Sequence, residues 1–160
     1  MRNVNLGCGY AKLRNYINVD FNPECNPDIV HNLEKGLPFD SNSADEIIAN
    51  DFMEHCKDFV SIMNEIGRVL KVGGVLKARF PPWNSEGAFS AAHPRIVIYR
   101  DFEAFCINSA NSFEYSVNGE KLNKRFKMIQ MKTEKGVCHQ WCKEGKHRIK
   151  KCHVIIKKIL

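Results

Sequence analysis

The sequence predicts an α/β domain on a mixed sheet, with parallel strands first, antiparallel strands at one edge and helices on both faces. Three observations carry this. Over the first two-thirds, short apolar runs alternate with turns and amphipathic stretches. In the last third, apolar runs are separated only by turns and charges. A glycine turn follows directly on the first apolar run. Strands joined by helical crossovers pair in parallel, and strands joined by turns pair antiparallel.

Val4 to Leu6 reads as the first strand, ending in Gly7-Cys8-Gly9. Tyr16 to Val19 is a second, closed by Asp20, and Asp28 to His31 a third, between Pro27 and the Asn32–Pro38 turn region. Asp45 to Ala49, centred on Ile47 and Ile48, is a fourth. The clearest helix comes next, because Phe59, Ile62, Met63, Ile66, Val69 and Leu70 recur at helical spacing behind Asp58, a residue suited to the N-cap. Gly73-Gly74 is read as its stop. Val75 to Phe80 is a fifth strand, ended by Pro81-Pro82, and a helix capped by Asp101 uses Phe102, Phe105 and Cys106. Residues 113–117, 126–131 and 153–160 read as the late strands.

A chain of 160 residues with 44% apolar and 26% charged residues is an ordinary globular domain. No apolar stretch approaches the roughly 20 residues that cross a bilayer, so no membrane is expected. The first residues do not read as a signal peptide, and seven scattered cysteines point to reduced thiols in the cytoplasm. The net charge of +6 is unevenly spread. From residue 110 onward there are 13 Lys and Arg against 4 Asp and Glu, while residues 1–109 carry 11 against 14. A basic end reads either as a solvated basic surface or as a site for an anionic partner, with nucleic acid, a phosphorylated metabolite or an acidic protein face as the classes.

In a parallel sheet, ligands bind beyond the carboxyl ends of the strands where strand order reverses, so the first glycine turn is the place to look. Gly7 permits the tight turn, and Gly9 lets a ligand approach the backbone. Asp20, ending the next strand, can accept hydrogen bonds from two ribose hydroxyls. A dinucleotide does not fit: Lys12 stands where a third glycine belongs, and the acid comes 11 residues after Gly9, about half the expected spacing of roughly 20.

Asn5-Leu6-Gly7-Cys8-Gly9, Asn18-Val19-Asp20, Leu37-Pro38-Phe39, Asp45 to Asn50 with Glu54-His55, and Leu70-Lys71-Val72-Gly73-Gly74-Val75-Leu76 follow one another in order. This series resembles a class I S-adenosylmethionine-dependent methyltransferase, and more narrowly the type 11 methyltransferase domain, over about residues 4–109. The resemblance implies a Rossmann-like fold with S-adenosylmethionine as cofactor. It implies one domain over residues 1–160, with a cofactor-binding core at 4–109 and a basic antiparallel end at 110–160. It further implies that Gly7, Cys8 and Gly9 wrap the methionine part, that Asp20 holds the ribose, and that Phe21 packs on the adenine. Asn32 and Leu33 face the adenine amino group, and the turn from Asn50 to Phe52 lies near the transferred methyl. Asn5 departs from the acid that many members carry, and the helix usually preceding strand one is missing. Phe80-Pro81-Pro82-Trp83 is similar to the motif of amino-directed DNA methyltransferases. It follows strand five rather than strand four and begins with Phe, so it is not read as a base-flipping site.

Methyl transfer from a sulfonium depends mainly on alignment, and the sequence names no certain catalytic residue. His55 and His93 are the candidates for a base; His55 also reads as a first-turn helix residue capping the backbone. The loop from Pro81 to Arg95, with Trp83, Phe89 and Arg95, reads as a substrate lid or as a packed surface loop. Cys138, Cys142, His147 and Cys152 lie one residue from zinc-knuckle spacing, but Cys152 begins the last strand. Reduced cysteines in a basic hairpin are therefore the expectation, with no metal assigned. The function expected is methyl transfer to an unidentified acceptor. The alternative is a catalytically silent module of the same fold whose basic end docks nucleic acid or a protein.

Overall fold

The fold is a computed structural model, which describes residues 1–82, 85–97, 101–102, 105–106, 116–117, 120–121, 126–136 and 148–159. Its strands are β1 (Asn3–Leu6), β2 (Ile17–Asp20), β3 (Ile29–Val30), β4 (Ala44–Asn50), β5 (Leu70–Phe80), β6 (Ser116–Val117), β7 (Glu120–Lys121), β8 (Phe126–Gly136) and β9 (Arg148–Lys158). Helix α1 spans Phe59–Val69.

Seven strands form one sheet in the order β3-β2-β1-β4-β5-β9-β8. β1 lies between β2 and β4, parallel to both, with Val4 opposite Ile17 on one side and Ile47 on the other. The chain steps outward from β1 to β2 and β3, then returns to lay β4 on the other flank. That reversal opens a crevice above Leu6, Asp20 and Asn50, the carboxyl ends of three parallel strands. β9 runs antiparallel between β5 and β8, as expected for strands joined without crossover helices. β6 and β7 form a separate antiparallel pair. Of the expected strand at 113–117, Ser116–Val117 is β6, and 113–115 lie outside the described residues.

The links from β1 to β4 are short, so 3₁₀ turns at Pro23–Cys25 and Leu33–Lys35 stand where longer crossovers would carry helices. Asn22 and Asn32 cap them by accepting hydrogen bonds from the N–H groups of Glu24 and Glu34. In α1, the Asp58 carboxylate accepts from the Ser61 N–H at 2.9 Å, as an N-cap should.

The helix stop differs from the expectation. α1 ends at Val69, and Leu70 turns directly into β5, opposite Ala44. Gly73-Gly74 lies inside β5, where the register shifts between Ala44 and Glu46. Gly73 adopts φ +88° there, and a Cβ on Gly74 would come within 2.9 Å of the Lys71 carbonyl oxygen. These glycines shape an irregular strand entry rather than a helix end.

The core joins Val4, Leu6, Val19, Ile47, Leu76, Val154 and Ile156 of the sheet to Phe59, Ile62, Met63 and Ile66 of α1. Phe102 extends it, edge-on to Phe59 at 5.3 Å and stacked on Phe80 at 5.4 Å between ring centroids. Phe102 is helical as expected, and Asp101, expected as the cap, is itself helical. Cys106 instead forms a β-bridge with Phe126, whose N–H donates to the Phe105 carbonyl at 3.1 Å.

Glu65 and Arg68 tie α1 to the turn before β4. The Glu65 carboxylate accepts from Arg68 Nε at 2.7 Å and from the Leu37 N–H at 2.8 Å, and Arg68 donates on to the carbonyls of Phe39 and Leu37. The guanidinium, with help from the Leu37 N–H, holds the Glu65 carboxyl below its ordinary value of 4.5. A carboxyl depressed on folding stabilises the fold above its unfolded value, and that contribution disappears as pH falls through the folded value. Stability is therefore expected to drop on acidification below about pH 4.5. Urea unfolding of Glu65→Gln should show an unfolding free energy lower by about 1–2 kcal/mol at pH 7, and a flatter decline toward pH 3. An unchanged slope would remove this pair as a source of the acid sensitivity.

The basic C-terminal third is partly committed to the fold. Lys158 is 4% exposed and donates to Asn42 Oδ1 and to the Leu70 carbonyl, both at 2.8 Å. Lys151 reaches back to Asp51. Charge counting overstates the cations this region can offer to a partner.

Candidate functional site

A cavity of about 710 Å³ opens at the carboxyl ends of β1, β2 and β4. Gly7, Gly9, Asp20, Phe21, Asn32, Leu33, Phe52 and His55 line it, as do His31 and Asp51. The turn after β1 is built by backbone bonds: the Cys8 N–H donates to Val19 O at 3.1 Å and the Ala11 N–H to Cys8 O at 2.8 Å. Gly7 is left-handed, with φ +60°, and Phe52 packs so closely that a Cβ would meet its ring at 2.4 Å. Gly9 has no heavy atom within 4 Å of where its Cβ would stand, so that side of the turn is open.

Asp20 is 6% exposed, and each oxygen already accepts one backbone hydrogen bond, Oδ2 from Gly9 N–H at 2.7 Å and Oδ1 from Asn22 N–H at 2.9 Å. A carboxylate oxygen has a second acceptor site, so Asp20 can still take two donors from the cavity. The same bonds pin the glycine turn to β2. Phe21, directly after it, stands 75% exposed at the rim. Asn32 is exposed and its side chain caps the 3₁₀ turn, while Leu33 is buried beside it.

Two of the expected cofactor-binding residues, and the candidate base His93, do not line the cavity. Cys8 is 5% exposed and packs behind the turn, where burial and the Asp20 carboxylate push its thiol up from the usual range. Asn50 completes β4 opposite Arg79, and Asp51 lines the cavity in its place. Asp51 is left-handed at φ +52°. It pairs with Arg79 at 2.5 Å and with Lys151, bringing β5 and β9 to the rim. A carboxylate directly after a strand, in a residue type that tolerates left-handed backbone, was the available signal. Its partners lie 28 and 100 positions away and carry no local signal.

Asn5 is consumed internally. Its amide donates to Asn18 Oδ1 at 3.0 Å and to Ala11 O at 3.2 Å, while Asn18 in turn donates to Asp28 Oδ2, Leu13 O and Tyr16 O. The two Asn side chains thus brace the loop between β1 and β2.

Beyond the turn after β4, Glu54 is 2% exposed, and burial raises its carboxyl above the ordinary range. His55 and His93 meet edge-on, with ring centroids 4.5 Å apart, and His55 Nδ1 lies 3.2 Å from the Ala92 carbonyl. The segment after β5 is thereby held against the turn after β4. Arg95 reinforces this by pairing with Asp101 at 2.9 Å and lying over the Phe59 ring at 4.5 Å. Arg95 packs inward, whereas Phe89 is 68% exposed. Trp83 lies outside the described residues, as do Cys138, Cys142 and His147; Cys152 sits inside β9 opposite Phe80.

A family model described as a methyltransferase domain matches residues 4–78. No curated protein sequence matches the chain. Among solved structures, the YcgJ protein of Bacillus subtilis is 14% identical with a TM-score of 0.65, the match covering 99% of this chain and 92% of that one. An S-adenosylmethionine-dependent methyltransferase from Methanosarcina mazei is 17% identical with a TM-score of 0.60, covering 99% and 92%. One from Aquifex aeolicus is 12% identical with a TM-score of 0.62, covering 99% and 82%. At such identities the likeness is one of fold.

Proposed function

We propose, for a chain that carries a class I S-adenosylmethionine-dependent methyltransferase domain, that the cavity binds this cofactor and that the protein transfers its methyl group to an acceptor entering beside His55. The observation that carries this reading is Asp20, a buried carboxylate with acceptor capacity left over, on the floor of a cavity walled by the glycine turn. Those residues fit the cofactor: Gly9 leaves an open approach to the backbone, and about 710 Å³ suits a ligand of this size. No helix among the described residues is long and apolar enough to cross a membrane.

In this reading Asp20 accepts from both ribose hydroxyls. Phe21 and Leu33 bracket the adenine, and Asn32 offers its amide to the adenine amino group. Gly7 and Gly9 leave room for the methionine part, and Cys8 shapes that turn from behind. Asn50 places the following turn, from which Asp51 and Phe52 face the sulfonium end. Asn5 brings no negative charge to the methionine amine, and Asp51, a cavity-lining carboxylate already paired with Arg79 and Lys151, is the acid that would meet it. When bound, the cofactor supplies an electrophilic methyl group for in-line displacement. The residues' task is to hold a nucleophile about 3–3.5 Å from it and to exclude water. Residues 1–160 act as one domain, with the basic strands completing the sheet on which the core rests. The part of the basic end not tied into the fold is the region by which an anionic acceptor, nucleic acid included, would be drawn in.

Calorimetric titration with S-adenosylmethionine and with its demethylated product tests the reading. Binding of both at micromolar to submillimolar levels is expected, with a negative heat-capacity change from burial of the adenine. No binding at millimolar ligand would overturn it. A Phe21→Ala variant should bind about tenfold more weakly with little loss of stability, because the ring is 75% exposed and in this reading packs on the adenine.

A further inference from the structure

We propose that Glu54, His55 and His93 form a binding site for one divalent transition-metal ion, with zinc as the expected occupant, at the acceptor side of the cavity. One ligand atom from each residue lies within 4.8 Å of the others. Around a single ion, bonds of about 2.0–2.2 Å hold ligand atoms roughly 3.3–3.6 Å apart, so small side-chain rotations close the set.

Two observations point to an ion rather than to a chance cluster. Glu54 is 2% exposed, yet its Oε2 has no hydrogen-bond partner among the described residues. The buried Nδ1 of His93 has none either. A buried carboxylate oxygen and a buried imidazole nitrogen left without partners are costly to fold, and a shared cation would satisfy both. His55 supplies the third element. Its Nδ1 faces the Ala92 carbonyl at 3.2 Å, an arrangement in which Nδ1 carries the proton and Nε2 keeps its lone pair. Metal-bound histidines are oriented and made more basic in this way.

The scaffold holds the ligands from two directions. Glu54 and His55 sit on the 3₁₀ turn Met53–His55, directly after β4. His93 comes from the segment after β5, fixed by its N–H bond to Ser90 O at 2.9 Å and by the Arg95 anchor on Asp101 and Phe59. Two imidazoles and one carboxylate suit zinc and its neighbours in the first transition row. Three protein ligands leave a coordination position open, the pattern of ions that bind substrate. Since His55 also lines the cavity, that position faces the space beside it. On the methyltransferase reading, it would take an acceptor oxygen and orient it toward the methyl group.

Cobalt(II) titration of the full-length, chelator-treated protein provides the test. One equivalent is expected to bind with visible d–d absorption, without the thiolate charge-transfer band that Cys138, Cys142 and Cys152 would produce, and zinc should displace it. His93→Ala and Glu54→Gln should each weaken binding by about tenfold or more, with folding checked by circular dichroism, while Cys138→Ser changes nothing. His55→Ala, on an exposed side chain, is a third loss-of-ligand variant and should weaken binding likewise. Failure of cobalt to bind at about a hundred micromolar, or a thiolate band that survives His93→Ala, overturns the site and leaves the His55–His93 contact as a loop clasp. Cofactor calorimetry on the same samples separates the two proposals. Cofactor binding without cobalt binding retires the ion site alone. Cobalt binding without cofactor binding retires the methyltransferase reading and sustains the site.

Discussion

Replacing Asp20 by Ala is expected to weaken S-adenosylmethionine binding by about 100-fold or more, measured by calorimetry against the unmodified protein. Hydrogen bonds to a charged partner contribute about 1.5–3 kcal/mol each, and two ribose hydroxyls would lose theirs together. The same change removes the acceptor of the Gly9 and Asn22 N–H groups, so the glycine turn loses its tie to β2. The melting temperature should therefore fall by several degrees, as for one or two lost buried hydrogen bonds. Asp20→Asn keeps the shape and one acceptor, and it should fall between the two in affinity. Full affinity in Asp20→Ala would mean that the ribose is held elsewhere, and the assignment of the cavity would fail with it.

The second large effect is expected at Gly7. Gly7→Ala places a Cβ 2.4 Å from the Phe52 ring, in a residue held at φ +60°. The left-handed backbone costs an L-residue about 1–2 kcal/mol, and overpacking adds about 1–3 kcal/mol, so a loss of about 2–5 kcal/mol in unfolding free energy follows. Urea unfolding would measure it, and a second substitution would apportion it. Phe52→Leu in the Gly7→Ala background should recover the packing share but leave the backbone share. Gly9→Ala is the control, since its Cβ would meet nothing within 4 Å. It should unfold within about 1–2 kcal/mol of the unmodified protein. Equal losses at both glycines would show that backbone strain, not contact with Phe52, governs the turn.

Much of this molecule was legible in the sequence because its signals are local. Strand periodicity, the Asp58 cap of α1 and the Gly7-Cys8-Gly9 turn before Asp20 are decided by residues within a few positions of one another. They were sufficient for the mixed sheet and for the crevice above the parallel strands. The stop of α1 departs from its local signal for a matching reason. A glycine pair after an apolar helix is a local stop signal, but pairing of Leu70 with Ala44 ended the helix first and drew the glycines into β5. That pairing spans 26 positions and is cooperative with the whole sheet.

The sequence by itself determined the fold class, the glycine turn and the acid that faces it, since each rests on backbone conformation and short-range spacing. Only the tertiary structure decided that Asp51 rather than Asn50 lines the cavity and that Lys151 and Lys158 are held within the fold. It alone brought His93 against His55 and left Glu54 buried beside them with an oxygen that has no partner among the described residues. Burial and cross-sheet contact depend on how β4, β5 and β9 assemble in space, and no pattern along the chain encodes those distances.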